Sequence, residues 1–136
     1  MCKTRKLGIR FLLLAALCAI LLVPVAGPAE HIAPKGSESL VFVTQSDACE
    51  CVRNLCVAGE QEVLNFLGGS GEGLRYERVD LAKNPDAGKT YRAVTLPVVL
   101  LFDGAGAEIA RFDSFFTEDQ LEAAWQQHLT RREGRP

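Results

Sequence analysis

The sequence predicts an α/β domain: a four-stranded mixed sheet flanked by helices, in the order β-α-β-α-β-β-α. Three observations carry this expectation. An apolar run at residues 98–102 is followed by a Gly-rich turn and an alternating segment, the pattern of a hairpin. Apolar residues recur with a helical period over residues 50–67. Thr117-Glu-Asp-Gln120 is a capping box that opens a further helix. The chain has 136 residues, enough for one such core and no second. With 48% hydrophobic and 24% charged residues it is neither a mainly disordered chain, nor a collagen, nor a polytopic membrane protein.

The first segment reads as an address. Lys3, Arg5, Lys6 and Arg10 precede 13 uncharged residues at 11–23, and the small residues Ala26, Gly27 and Ala29 follow. This layout is expected to be a signal peptide or N-terminal anchor over residues 1–29. The apolar run falls short of the ~20 residues that span a hydrocarbon core, which favours cleavage. In either case the body is expected to be exported, to the periplasm or cell envelope, and to meet the membrane only through this segment if it stays uncleaved. A polar linker with Pro34 and Gly36 occupies residues 30–38.

The domain itself is expected over residues 39–130. Residues 40–44 are apolar and β-branched, a buried strand. In the helix over 50–67, Val52, Leu55, Cys56, Gly59, Val63 and Leu67 share one face, and Ser46 or Asp47 is expected to cap its start. The Gly-rich stretch at 68–73 is expected to be a flexible turn. A second strand runs over 74–80, with Leu74 and Tyr76 alternating and Val79 out of step; turn chemistry accounts for Asp80. A short helix is expected over 84–94, with Pro85 in its first turn and Leu96-Pro97 as its stop. The run at 98–102 is a strand covered on both faces. Residues 107–112 return antiparallel after the turn at 103–106. The last helix is expected to end near residue 129, with Leu121, Ala124, Trp125 and His128 on one face, and residues 131–136 form a polar tail. His31 and His128 are expected at the surface. The first two strands need a right-handed parallel crossover.

From Glu30 onward the chain carries 11 Lys and Arg against 17 Asp and Glu, a balance of −6. Nucleic acid is therefore not an expected partner, since its phosphates demand clustered cations. The body keeps three cysteines, Cys49, Cys51 and Cys56, within eight residues at the start of the first helix. In an oxidising compartment such thiols can exchange disulfides. A helix N-terminus stabilises thiolates, and Arg53 adds to that while Asp47 and Glu50 oppose it. Helical residues i and i+2 point ~200° apart, so a Cys49–Cys51 bond requires Cys49 at or before the N-cap. The small ring would be strained, and a strained disulfide is more oxidising. Cys56 lies ~7.5 Å of helical rise beyond Cys51, more than a disulfide spans. On the apolar stripe it reads as a small buried hydrophobe, and beyond that as a possible third thiol. Three alternatives remain for the pair itself: redox exchange, a purely structural staple, or binding of a soft ion such as Cu(I) or Hg(II). No metal ligand set is assigned, because no His lies near the cluster and three thiols leave a tetrahedral position open.

The ordered set Tyr76-Glu-Arg-Val-Asp80, Asn84-Pro85, Tyr91-Arg-Ala-Val-Thr-Leu-Pro97, Val98-Val-Leu-Leu-Phe102, Asp103-Gly104 and the last helix resembles the thioredoxin family, over about residues 38–130. The resemblance implies a thioredoxin-like fold and a cis Leu96–Pro97 bond placed against the reactive thiols. The departure is at the thiols. Where that family carries Trp-Cys-Gly-Pro-Cys, this chain reads Asp47-Ala-Cys49-Glu-Cys51, and the preceding strand holds no buried acid. The activity implied is thiol–disulfide exchange on proteins, as oxidoreductase or isomerase, with Cys49 and Cys51 catalytic. Leu96 and Pro97 would offer backbone to an extended substrate segment. The implied partners are protein thiols and disulfides and a redox partner still to be identified. No dissociable cofactor is implied. Outside this reading stand a soft-metal carrier and a redox-silent interaction module.

Overall fold

The computed structural model describes residues 36–134. The expected signal or anchor over 1–29, most of the linker and His31 lie outside the described residues. Ser39–Thr44 forms β1, and every residue of it is buried. It pairs in parallel with β2, Arg75–Asp80, and antiparallel with β3, Val98–Phe102. β4, Glu108–Asp113, pairs antiparallel with β3. The sheet order is β2-β1-β3-β4, the four-stranded mixed sheet expected. β1, from Leu40 to Val43, and β3 are continuous apolar runs because both of their faces are covered. The outer strands carry the charges.

Side chains alternate across a strand, so the two faces feed two clusters. Leu40, Phe42, Val99 and Leu101 face α1, Glu50–Gly68, and α3, Glu118–Glu133, where Val63, Phe66, Leu121 and Trp125 complete the core. Val41, Val43, Val98, Leu100 and Phe102 pack on the opposite side with Val79, Ala87 and Tyr91. Tyr76 joins the first cluster and Val79 the second, so the strand is in plain alternation and Val79 serves the other face.

Three expectations about local structure are corrected. The helix expected over 84–94 is only α2, Ala87–Thr90. Asn84 and Pro85 belong to hydrogen-bonded turns before it. At its end Arg92 takes a left-handed φ of 49°, its N–H bonds the Lys89 carbonyl, and the Ala93 N–H bonds that of Gly88. This is a Schellman ending with Arg where Gly is usual. Residues 69–73 form the turn expected, and it has hydrogen-bond partners. Gly69 and Gly71 both donate to the Phe66 carbonyl, and Ser70 Oγ donates to Glu122 Oε1 at 2.6 Å. A Cβ on Gly71 would stand 2.6 Å from the Phe66 ring, so only glycine lets the chain pass there. The last helix runs on to Glu133, through the start of the expected tail, where Arg132 meets the Glu38 carboxylate. His128 is partly buried rather than a plain surface residue: it stacks on Trp125, centroids 5.3 Å apart, with Nε2 3.2 Å from Glu38 Oε1.

The capping box forms, with the Thr117 N–H donating to Gln120 Oε1 at 3.0 Å. Glu62 of α1 reinforces it from outside by accepting the Glu118 N–H at 2.7 Å. Truncating this carboxylate, Glu62→Ala, leaves a first-turn amide without its anion and is expected to cost ~1 kcal/mol. For a domain of this size that lowers the melting temperature by roughly 4–8 °C, as calorimetry would read it. Gly59 of α1 is a second sensitive point. A Cβ there would meet Phe116 Cζ at 2.9 Å and Pro97 Cγ at 3.0 Å. Gly59→Val is expected to destabilise the fold by about 1–3 kcal/mol through overpacking, seen as a lower urea midpoint; an unchanged midpoint would contradict this packing.

Candidate active site

The site is built at the end of the sheet where β1 finishes. The chain leaves β1 at Thr44, crosses residues 45–48, and enters α1. Neither Ser46 nor Asp47 caps the helix, contrary to expectation. Ser46 gives its N–H to Asp80 Oδ1 at 3.0 Å, and Asp47 Oδ1 accepts from Gln45 Nε2 at 2.9 Å. The N-cap is Cys49 itself, in an extended conformation with φ −58° and ψ 157°. Its carbonyl accepts the Arg53 N–H at 3.0 Å, the first bond of the helix.

This answers the geometric requirement on the pair. One cysteine lies just outside the helix and the other in its first turn, so the side chains converge where two helical ones would diverge. The sulfurs are 2.9 Å apart, and both thiols are free and exposed. The two are not equivalent. A hydrogen bond from Cys51, and then the Val52 backbone N–H, lower the Cys49 thiol below its ordinary value. The same contact with Cys49 raises Cys51. The expected contributions of Arg53, Asp47 and Glu50 are not among the causes; local hydrogen bonds at the helix start do the work. Cys56 is 4% exposed on the inner side of α1, apart from the pair. Among the described residues no group of three Cys, His, Asp or Glu side chains gathers for a metal, so soft-ion binding would rest on the two thiols alone.

The segment before β3 forms the facing wall. The Leu96–Pro97 bond is cis. Pro97 is buried, its ring on Gly59 of α1, and its carbonyl accepts the Ser114 N–H at 2.7 Å. Ser114 has a φ of 68°, which turns the chain from β4 toward α3. Arg111 fixes the start of this wall. It donates to the Tyr91 carbonyl at 3.0 Å and the Arg92 carbonyl at 2.8 Å while paired with Asp113. Between the walls lies an open groove of about 350 Å³, with Ala48 and Val52 on the cysteine side and Val94, Thr95, Leu96 and Ser114 opposite. Val94 is 92% and Phe115 76% exposed, large apolar side chains left in water. Among the described residues, no backbone hydrogen bond outside helices and strands involves residues 94–96.

The sequence-derived candidates thus fall into two groups at one edge of the sheet. Cys49 and Cys51 touch; Leu96 lines the adjoining groove, and Pro97 packs on α1 at Gly59. Sequence reasoning missed Val52, Val94 and Ser114 as groove residues, and the tie from Asp80 to the cysteine loop. No local pattern marks them.

The difference between the thiols is measurable. Cys49, lowered, is expected to react with iodoacetamide at lower pH than Cys51, because the thiolate is the nucleophile and forms above the pKa. In Cys51→Ala the neighbour's hydrogen bond is gone, and the Cys49 profile should move up toward an ordinary thiol near ~8.5. Peptide mass after alkylation separates the two. Equal profiles for both cysteines would contradict the asymmetry.

No family model matches the chain, and no curated protein matches it. Solved structures do. Thioredoxin-2, a component of malaria parasite protein secretion machinery, is similar at 20% identity and a TM-score of 0.59, over 71% of this chain and 87% of that one. Thioredoxin 1 from Thermosipho africanus is similar at 17% identity and 0.57, over 70% and 98%. Chloroplastic thioredoxin z is similar at 14% identity and 0.57, over 96% and 97%. At these identities the likeness is one of architecture, and with the sheet order and the flanking helices it makes this chain thioredoxin-like in fold, with Cys49-x-Cys51 at the start of its first helix.

Proposed function

We propose that the chain is an exported thiol–disulfide oxidoreductase or isomerase acting on protein disulfides. The observation that carries this is the pair of exposed free sulfurs 2.9 Å apart, one thiol lowered and the other raised by their mutual contact. The solved relatives named thioredoxin support the same reading. Export rests on the basic and apolar layout of residues 1–29.

In the proposed reaction the Cys49 thiolate attacks one sulfur of a substrate disulfide. A mixed disulfide forms, and the first substrate sulfur leaves as thiolate and takes a proton. Cys51 then gives up its proton and attacks the Cys49 sulfur. The second substrate thiolate leaves, and a Cys49–Cys51 bond closes. Two electrons and two protons pass from the pair to the substrate. An external dithiol partner resets the pair, and the reverse sequence oxidises a substrate dithiol. The substrate segment lies extended in the groove, its backbone against residues 94–96, whose backbone has no backbone hydrogen-bond partner among the described residues. Val94, in the lining, offers it apolar contact.

Redox titration of the protein in glutathione buffers, with the Cys49–Cys51 bond followed by peptide mass, tests the reading. A reversible couple is expected within roughly −120 to −270 mV, the span of known exchange catalysts. Cys51→Ser is expected to accumulate mixed disulfide with a reducible protein, and Cys49→Ser to form none. A bond that never opens in that window would make the pair a structural staple, and thiols that never close it would remove the mechanism.

A further inference from the structure

We propose that Asp80 is the positioning residue of the Cys49–Cys51 pair: its carboxylate holds the Ser46 amide and so sets the path of the loop that delivers Cys49 to the start of α1. The inference rests on the exchange reading above and names what aligns its reacting atoms. Asp80 is the last residue of β2, and its partner across the parallel ladder is Thr44, the last residue of β1. It is buried. Oδ1 accepts the Ser46 N–H at 3.0 Å and the Ala82 N–H at 3.1 Å. The Asp80 carbonyl accepts the Lys83 and Asn84 amides, and the Leu81 N–H crosses back to the Thr44 carbonyl at 2.8 Å. Asp80 is therefore held rigidly by its own strand and turn, and it passes that rigidity to the loop.

The loop has little else to hold it. Its internal contacts are a 3.5 Å Ala48-to-Gln45 bond and an exposed Gln45–Asp47 contact. Among the described residues, Asp80 is the only residue of another element that hydrogen-bonds to residues 45–48. A carboxylate accepting a backbone amide is among the stronger protein hydrogen bonds. That bond also favours the ionised acid, holding the Asp80 carboxyl below the usual carboxylate range. Cys49 follows Ser46 by three residues, and its extended backbone is what brings its sulfur to Cys51. A loosened loop widens the range of Cys49 torsions. It weakens the sulfur–sulfur contact, and with it the cause that lowers the Cys49 thiol. The central strand β1 is apolar from Leu40 to Val43, so the acid nearest in register stands one strand over and acts on the backbone.

The test is the pH profile of Cys49 alkylation in the full chain, for wild type, Asp80→Asn and Asp80→Ala. Asp80→Ala is expected to move the profile to higher pH and lower the rate at neutral pH about tenfold, the effect of a one-unit rise. Asp80→Asn keeps an oxygen for Ser46 and should stay within about twofold of wild type. An unchanged profile in Asp80→Ala overturns the proposal. So does an equal shift in both variants, which would make charge and not anchoring the cause. If Asp80→Ala does not fold, the wild-type Ser46 amide resonance decides. It is expected to titrate in acid together with that of Ala82, following the Asp80 carboxyl, and a Ser46 amide that does not respond overturns the anchor. Failure of the exchange reading shows separately, as the absence of a Cys49–Cys51 couple in wild type, while the alkylation comparison still decides the role of Asp80.

Discussion

The position of every residue at the site follows from one constraint: β1 is buried on both faces with a parallel neighbour on one side and an antiparallel neighbour on the other. The parallel partner β2 must end where β1 ends, which brings Asp80 level with Thr44. The antiparallel partner β3 must begin there, which brings Pro97 to the same edge, one residue before the Val98 that pairs with Val43. The helix that follows β1 starts at that edge as well. Thus Cys49, Asp80 and Pro97 arrive together from three separate stretches of chain because of the strand directions alone. Open α/β sheets gather their sites in this way, at the carboxyl end of a strand where the topology changes.

Within that frame the chemistry depends on a single residue of offset. Had Cys49 entered the helix, its side chain and that of Cys51 would diverge. As N-cap it keeps an extended backbone, and the sulfurs meet. The same position leaves the first-turn amides without a side-chain cap, and the Val52 amide helps to lower the Cys49 thiol. A helix start that forgoes the usual Ser or Asp cap gives up some stability. It gains a place where a thiolate is favoured over a thiol.

The opposite wall is held by side chains that no short sequence pattern connects. Arg111, on β4, satisfies the two carbonyls at the end of the Schellman turn, so the chain enters residues 94–96 from a fixed point. Pro97 and Phe116 close on Gly59, which ties that wall to α1. The groove between the walls is therefore bounded on each side by a clamped segment, while Val94 in its lining stays in water.

By itself the sequence determined the elements: the apolar runs of β1 and β3, the periodicity of α1, the capping box of α3 and the turn after β3 all held. It also determined that a Cys49–Cys51 contact needs Cys49 at the N-cap, since that is a matter of helical geometry. These signals lie within windows of a few residues, where steric preference and burial pattern act locally. Tertiary structure decided the rest. It shortened the helix at residues 84–94 to one turn, since Arg92 breaks it into a left-handed ending that Arg111 secures. It gave the Gly-rich turn its partners, Phe66 and Glu122. It extended α3 through Arg132, which finds Glu38 some ninety residues earlier. It assigned Asp80 to the cysteine loop and divided the two thiols into a lower and a higher one. Each of these is a hydrogen bond or contact between side chains far apart in sequence, and such partners exist only once the sheet has fixed which strand ends share an edge.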